Sequence, residues 1–230
     1  MIKNEKEIIN SLYGLMLGDG DINGEYIRCV HTNKQRFYVE WLEYTFSSLG
    51  IDTHSKYDYE RNTTFGIYIY SNVRIKIPNK EEFKKNTLLN GKKYLSDTVL
   101  NNINSFGLLL WFLDDGSWHV SFKNNYAKRF GYLNTQGFSY KDNVRIKDMF
   151  KRRFDIDLKI HTDKSGIKGY KNRTYYRLYF NATNFRKFFD VVRPYLKYIP
   201  KEFYYKFDMK YKPNRLKNSI EFSKKYNLSN

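Results

Sequence analysis

The sequence predicts an α+β fold built from two copies of one unit, each with the order helix, two strands, helix, two strands, helix. An apolar helical run that closes on Gly-Asp-Gly, "SLYGLMLGDGD" (11–21), is matched by "GLLLWFLDDG" (107–116). The following segments also correspond: "VHTNKQRF" (30–37) with "LNTQGFSY" (133–140), and "TFGIYIYS" (64–71) with "YYRLYFNA" (175–182). A repeat of this length indicates a duplicated structural unit. We therefore expect an N-terminal unit at 1–98 and a C-terminal unit with a basic tail at 99–230.

The elements of each unit follow from the periodicity of the apolar residues. Apolar runs predict helices near 6–18, 35–49 and 80–90 in the first unit and near 103–114, 140–154 and 183–196 in the second. Alternation of β-branched and aromatic residues predicts strands near 26–32, 53–59 and 64–71, with a short one after Gly20. The corresponding strands of the second unit lie near 117–122, 129–135, 157–162 and 174–181, and 88–102 joins the units.

The composition indicates a basic, soluble, intracellular protein. Lys and Arg number 41 against 24 Asp and Glu, a net charge of +17 that suits a polyanionic partner. The single cysteine, Cys29, excludes a disulfide framework and a cysteine-cluster zinc site. The first residues, "MIKNEKEIIN", lack the apolar core of a signal peptide, and the apolar runs are too short to span a membrane. The abundance of Lys, Asn, Ile, Tyr and Phe indicates an AT-rich genome, which places the protein in an organelle matrix, a phage-infected cell or a bacterial cytoplasm.

Each apolar run ends on a carboxylate that precedes a glycine, Asp19 in the first copy and Asp115 in the second. A carboxylate at the negative end of a helix dipole costs roughly 0.3–1 kcal/mol, so stability does not explain the repeated pair. If the two helices pack side by side, the carboxylates form an anionic pocket that favours divalent cations such as magnesium or manganese. Such ions promote phosphodiester hydrolysis. The alternative is that each aspartate only solvates a helix end.

The segments "LYGLMLGDG" (12–20) and "LLLWFLDDG" (108–116) resemble the two copies of the LAGLIDADG motif of homing endonucleases, in the monomeric, two-motif branch. The resemblance implies a pseudo-twofold protein in which two saddle-shaped antiparallel sheets grip the DNA major groove around a central two-helix interface. The second copy has Leu110 and Asp114 where the first has Gly14 and Gly18. This departure leaves the distance between the crossing helices open, and Asp114 is either an outer residue of the site or a helix cap.

The resemblance also implies a metal site. By position in the motif, Asp19 and Asp115 are the metal ligands, and the main-chain carbonyls of Gly18 and Asp114 assist them. The implied cofactor is Mg²⁺; Mn²⁺ substitutes for it, and Ca²⁺ binds without supporting cleavage.

Four further residues take catalytic roles by the same resemblance. Asn33 and Gln136, at strand ends, order water near the scissile phosphate. Lys93 and Lys206, late in each half, stabilise the charged phosphate. For each lysine the alternative is an ordinary solvated surface charge, because basic residues crowd both regions.

The outward side chains of the strands are candidates for reading DNA, since Arg pairs bidentately with guanine and Tyr and Lys more often meet phosphate. These candidates are Arg28, Tyr68, Tyr70, Lys128, Arg173, Arg177 and Tyr179. Alternation turns about half of the residues of any strand toward the helices instead. Because the two units differ in sequence, we expect a long, asymmetric target.

Three functions remain open from the sequence. The first is a site-specific double-strand DNA endonuclease, the second an RNA-binding maturase of an intron, and the third a sequence-specific DNA-binding protein without cleavage. The two motif aspartates count against the third. We expect a monomer that binds double-stranded DNA, with intron RNA as the alternative partner and no membrane association.

Overall fold

The computed structural model describes residues 4–123, 126–163 and 174–207, with the backbone alone for 120–123, 126–129 and 163. The chain divides into two compact units, Met1–Asp114 and Asp115–Asn230. The sequence placed this division between residues 98 and 99. It falls later because the helix that carries the second motif packs through Gly107 against the backbone of Gly14, and so belongs with the first unit.

The first unit contains the expected helices and strands with shifted ends. Its elements are α1 (Glu5–Leu17), β1 (Asp21–Asn23), β2 (Tyr26–Thr32), α2 (Arg36–Ser47), β3 (Thr53–Thr63), β4 (Gly66–Lys76), α3 (Lys80–Thr87), β5 (Leu88–Leu89), β6 (Lys92–Lys93), α4 (Asp97–Asn102) and α5 (Ser105–Asp115). The strands β3 and β4 form a longer hairpin than the alternation predicted. The joining segment holds a short hairpin and the helix α4, which Ser96 caps by accepting a hydrogen bond from the Val99 amide at 3.2 Å.

The sheet of the first unit is antiparallel, in the order β1-β2-β4-β3. Its inward residues include Ile27 and Cys29 on β2 and Val73 and Ile75 on β4, all without exposed surface. Helix α2 covers this face, since its apolar residues are buried as well. The alternate residues of each strand point to the opposite, solvent-facing side, as the two-residue period of a strand requires.

The second unit repeats this architecture. Its elements are β7 (Gly116–Lys123), β8 (Tyr126–Leu133), α6 (Tyr140–Phe154), β9 (Lys159–Asp163), β10 (Tyr175–Asn181) and α7 (Ala182–Leu196), followed by a 3-10 helix (Lys201–Lys206). The sheet is antiparallel in the order β7-β8-β10-β9. Aromatic rings dominate the core, where Phe180 of β10 lies 5.5 Å from Phe188 of α7 and 6.1 Å from Phe150 of α6. The predicted mixture of helices with antiparallel sheets is confirmed.

The helices α1 and α5 cross with their backbones in direct contact. A Cβ atom built on Gly14 would lie 1.9 Å from the carbonyl oxygen of Gly107. Gly14 therefore meets Gly107 and not Leu110, which occupies the equivalent motif position. The motif alignment had placed Leu110 opposite Gly14, but the helices meet three residues earlier on α5. The crossing point is therefore formed by two glycines, Gly14 and Gly107. Among the described helices, none is long and apolar enough to cross a membrane.

Candidate functional site

Asp19 follows the C-terminal end of α1, where the chain turns into β1. The turn is fixed by main-chain hydrogen bonds: the Gly18 amide donates to the Gly14 carbonyl at 3.1 Å, and the Gly20 amide to the Leu15 carbonyl at 2.9 Å. The side chain of Asp19 is 52% exposed. Its carboxylate is therefore accessible from solvent while its backbone is held rigidly.

The side chain of Asp114, on α5, caps this turn. Its Oδ2 accepts a hydrogen bond from the Asp19 amide at 3.1 Å. A Cβ atom on Gly18 would lie 2.3 Å from the same oxygen, so the glycine is what lets the carboxylate reach the amide. Asp114 also interacts with the buried Tyr38, and burial followed by the negative charge of Asp114 raises the pKa of Tyr38 well above its ordinary value. The sequence left open whether Asp114 is an outer residue of the site or a cap; its side chain caps the Asp19 amide and also lies beside Asp19 and His31.

His31 is a member of this site that the sequence analysis missed. It lies on the inward face of β2 with 4% of its side chain exposed, and its Nδ1 is 4.0 Å from Oδ2 of Asp19. Its ring packs 5.0 Å from the ring of Tyr38. The signal was present in the alternation, since His31 shares the inward register of Ile27 and Cys29, where a polar side chain is unusual.

The donor atoms at this helix end suit a divalent cation. Asp19, His31 and Asp114 each offer one ligand atom, and these atoms all lie within 4.8 Å of one another. Carboxylate oxygens are the ligands of Mg²⁺ and Mn²⁺, and an imidazole nitrogen suits the transition metal better. The same two carboxylates, after burial itself, raise the pKa of the nearby Cys29 thiol well above its ordinary value. The residues present therefore fit a metal ion of the predicted kind.

Lys93 brings a positive charge to the same helix end. Its Nζ on β6 donates a hydrogen bond to the carbonyl oxygen of Gly18 at 2.5 Å. A cation there interacts favourably with the negative end of the α1 dipole. The structure thus unites Gly18, Asp19 and Lys93, which the sequence had singled out separately. Asn33 begins the short 3-10 turn that follows β2, and its side chain is exposed.

In the second unit, Asp115 is the last residue of α5 and is tied to the end of β8. Its carbonyl oxygen accepts hydrogen bonds from both the amide (3.0 Å) and the side-chain Nδ2 (2.8 Å) of Asn134. Gln136 follows two residues later with an exposed side chain. Asn134 occupies the repeat position of His31, at an offset of 103 residues (134 − 31). Each motif aspartate is therefore accompanied by a polar residue from the end of the second strand of its sheet.

Lys206 is not the solvated surface lysine of the alternative interpretation. It lies in the 3-10 helix of the second unit with 8% of its surface exposed. Its Nζ is 5.6 Å from the centre of the Phe203 ring. A charged amine that is largely removed from water indicates a specific environment, because desolvation disfavours an ammonium group unless other groups compensate.

The predicted DNA-reading residues of the first unit share the solvent-facing side of its sheet. Tyr68 and Tyr70 alternate along β4 with their rings 6.5 Å apart. Arg28, on β2, is paired with Asp21 across the strands β1 and β2. The sheet thus presents the residues that the sequence had assigned outward.

On the second sheet, Arg177 and Tyr179 of β10 lie on the side opposite the core. The guanidinium of Arg177 is 4.0 Å from the centre of the Tyr132 ring, and Tyr179 stacks on His161 at 4.4 Å. Lys128 lies in β8, but its side chain is outside the described residues, as is the whole of Arg173.

A family model for the LAGLIDADG DNA endonuclease family matches residues 9–188 of this chain. The match spans more than half of the 230 residues. The chain belongs to this family. The matched LAGLIDADG region contains both motif aspartates and every predicted site residue except Lys206.

The curated relatives of this LAGLIDADG protein are more distant. A RecA protein of Mycolicibacterium flavescens is 24% identical over 196 residues, which are 80% of this chain and 43% of the relative. A probable intron-encoded DNA endonuclease 3 of Mycosarcoma maydis is 31% identical over 101 residues, 44% of this chain and 63% of the relative. The chain thus spans less than half the length of the RecA protein and under two thirds of the endonuclease.

Among solved structures, the homing endonuclease I-WcaI bound to its DNA recognition sequence resembles this chain with a TM-score of 0.68 and 21% identity. The similarity covers 92% of this chain and 89% of that protein. At this identity the likeness establishes the shared LAGLIDADG fold over nearly the whole length.

Proposed function

We propose that this protein is a homing endonuclease that cuts both strands of a long, asymmetric double-stranded DNA target in a metal-dependent reaction. The observation that carries the proposal is the repeated helix end, at which α1 leads into Asp19 and α5 ends on Asp115. Family membership supports it, as do the similarities to an intron-encoded DNA endonuclease and to the homing endonuclease I-WcaI.

Asp19 and Asp115 are the proposed metal ligands, with the carbonyls of Gly18 and Asp114 beside them. A bound Mg²⁺ supplies positive charge that activates water and stabilises the attacking and leaving oxygens of the phosphodiester. Mn²⁺ replaces it, whereas Ca²⁺, with longer bonds and looser geometry, binds without supporting cleavage. The grouping of Asp19, His31 and Asp114 within 4.8 Å supports a cation at the end of α1.

The remaining catalytic work falls to side chains around these carboxylates. Lys93, already at the end of α1, stabilises negative charge on the phosphate in the first half, and Lys206 does so in the second. The largely buried ammonium of Lys206 interacts more strongly with an anion than a hydrated one does, because the local dielectric is lower. Asn33 and Gln136, both exposed, orient the water.

The proposed partner is double-stranded DNA, bound by the solvent-facing sides of the two sheets. The net charge of +17 supports a polyanion, since neutralised phosphates release counterions on binding. We propose that the protein acts as a monomer inside an organelle, a bacterial cell or a phage-infected cell.

A randomised DNA duplex library, incubated with the protein and Mg²⁺ and then sequenced at the cut ends, tests this function. The wild type is expected to cut one target. Asp19→Asn and Asp115→Asn should abolish cutting while binding in Ca²⁺, measured by gel shift, stays within a few-fold. Asp148→Asn, at an exposed carboxylate on α6, is the matched control and should cut normally.

Other outcomes contradict specific parts of the proposal. Undiminished cutting in excess EDTA would rule out the metal, and near-wild-type cutting by either motif variant would rule out that ligand. Selective DNA binding without any cutting indicates an inactive DNA-binding protein. Tight binding to a structured intron RNA in place of DNA indicates a maturase.

A further inference from the structure

A row of charged residues crosses the solvent-facing side of the first sheet. Asp21 on β1 pairs with Arg28 on β2, Arg28 with Arg74 on β4, and Arg74 with His54 on β3. We call these four residues the arginine row. Like charges directly opposite each other destabilise a sheet, and in this row the ion pair of Arg28 with Asp21 offsets that repulsion.

Asp21 orients the guanidinium of Arg28. The Nε of Arg28 donates to Oδ1 of Asp21 at 3.1 Å, and Nη2 donates to Oδ2 at 2.6 Å. A guanidinium has five N–H donors in a fixed plane. Asp21 engages one edge, and one donor of Nη1 and the second donor of Nη2 form a parallel pair on another edge. The arginine is therefore preorganised, because its rotamer is fixed before any ligand arrives.

The surroundings of Arg28 suit a polar, electron-rich ligand. Arg28 and Arg74 line a shallow cleft of about 240 Å³ together with Asn23, Lys56 and Asn72. The guanidinium of Arg74 lies 5.5 Å from the centre of the Tyr26 ring. The hydroxyl of Tyr26 in turn donates to Asp52 at 3.1 Å, which fixes that ring. Both arginines are thus held in place by neighbours on the sheet.

We propose that Arg28, positioned by Asp21, reads one guanine in the part of the DNA target bound by the first unit; the inference rests on the proposed function. Guanine presents two acceptors, O6 and N7, side by side in the major groove, and they match the parallel donor pair of an arginine. Adenine offers a donor in place of O6 and is rejected. Asp21 contributes by orientation and is a positioning residue.

The pairing with Asp21 predicts a particular signature. The Asp21–Arg28 pair carries no net charge, so it contributes little to the salt dependence of DNA binding. A lysine at position 28 keeps the charge and loses the planar donor pair. Arg28→Lys should therefore alter base preference at one position and leave the salt dependence unchanged. A mere phosphate contact predicts that every base preference survives Arg28→Lys, since such a contact carries no sequence information.

The test starts from the target sequence that the wild type selects and uses a set of duplexes in which each position is replaced by each of the other bases. The relative affinity of the protein for every duplex is measured in Ca²⁺, which prevents cutting. The wild type should prefer guanine at one position by about 5- to 150-fold, the range expected for one bidentate contact. Arg28→Lys should reduce that preference to less than about 3-fold at this position alone. Asp21→Asn should weaken it at the same position, although Arg28 is still present.

Arg36→Lys is the matched control. Arg36 is also ion-paired, with Glu40 and Asp58, and its side chain is 43% exposed against 39% for Arg28, but it begins helix α2. The Arg36→Lys variant should keep every base preference of the wild type. Melting temperatures show whether each variant is folded, and Arg28→Gln offers a second variant.

The outcomes separate this inference from the proposed function. A wild type that selects no duplex sequence overturns the proposed function and this inference with it. A wild type that selects a target whose base preferences all survive Arg28→Lys and Arg28→Gln overturns the inference alone. So does a uniform loss of affinity at all positions, because it indicates a phosphate contact.

Discussion

Replacing Gly14 by alanine tests the close crossing of α1 and α5. The new Cβ would lie 1.9 Å from the carbonyl oxygen of Gly107 and 2.5 Å from its carbonyl carbon. A relaxed carbon–oxygen contact is about 3.3 Å, so the helices must separate by about 1.4 Å. Both obstructing atoms belong to the backbone and cannot rotate away, so overpacking should lower the free energy of unfolding by about 3 kcal/mol, near the upper end of its usual range. The higher helix propensity of alanine restores about 1 kcal/mol, and we expect the free energy of unfolding to fall by about 2 kcal/mol in total.

The thiol of Cys29 reports on this unit alone in a urea titration, because it is the single cysteine of the chain and is fully buried in the first unit. The urea concentration at which half of the Cys29 thiol is labelled should therefore be lower in Gly14→Ala than in the wild type. The control is Lys6→Ala, at an exposed position of the same helix α1, where the free energy of unfolding of the first unit should change by no more than about 0.5 kcal/mol. If Gly14→Ala also stays within that limit, the helices do not cross at backbone contact.

Three further predictions concern the thiol, one helix end and the charge distribution. Cys29 should resist thiol reagents at pH 8 in the native protein, because burial and nearby carboxylates raise its pKa, and stoichiometric native labelling would contradict this. Two lysines lower the pKa of Asp155 to about 2, so Asp155→Asn should be less stable than the wild type at neutral pH. The difference should vanish as the pH falls from about 4 to about 2, where the wild-type carboxylate becomes protonated. A difference in urea midpoint that does not change with pH would refute this prediction. Residues 1–100 carry a net charge of +1 (14 − 13) and residues 101–230 carry +16 (27 − 11). In titrations of half-site duplexes, binding to the half-site of the second unit should therefore depend more steeply on salt concentration. Equal salt slopes for the two half-sites would exclude this asymmetry.

The sequence by itself determined the duplicated architecture and the positions of the two motif aspartates. Local periodicity suffices for this, because the apolar run of each motif helix and the alternation of strands such as β2 reflect which face is buried. The structure has helices and strands in the expected order, and the family match spans both motifs. The unpredicted helix α4 is only six residues long, too short to leave a periodic signal.

Only the tertiary structure decided which side chains meet at the ends of these elements. The meeting of Gly14 with Gly107, the cap that Asp114 forms on Asp19, and the approach of His31 to Asp19 depend on how helices and strands pack. The cap joins residues 95 positions apart, and no local pattern encodes such a distance. The periodicity of a segment determines the face that it buries, whereas the partner on that face is determined by packing of the whole unit, where volume, backbone approach and hydrogen-bond geometry must be satisfied together.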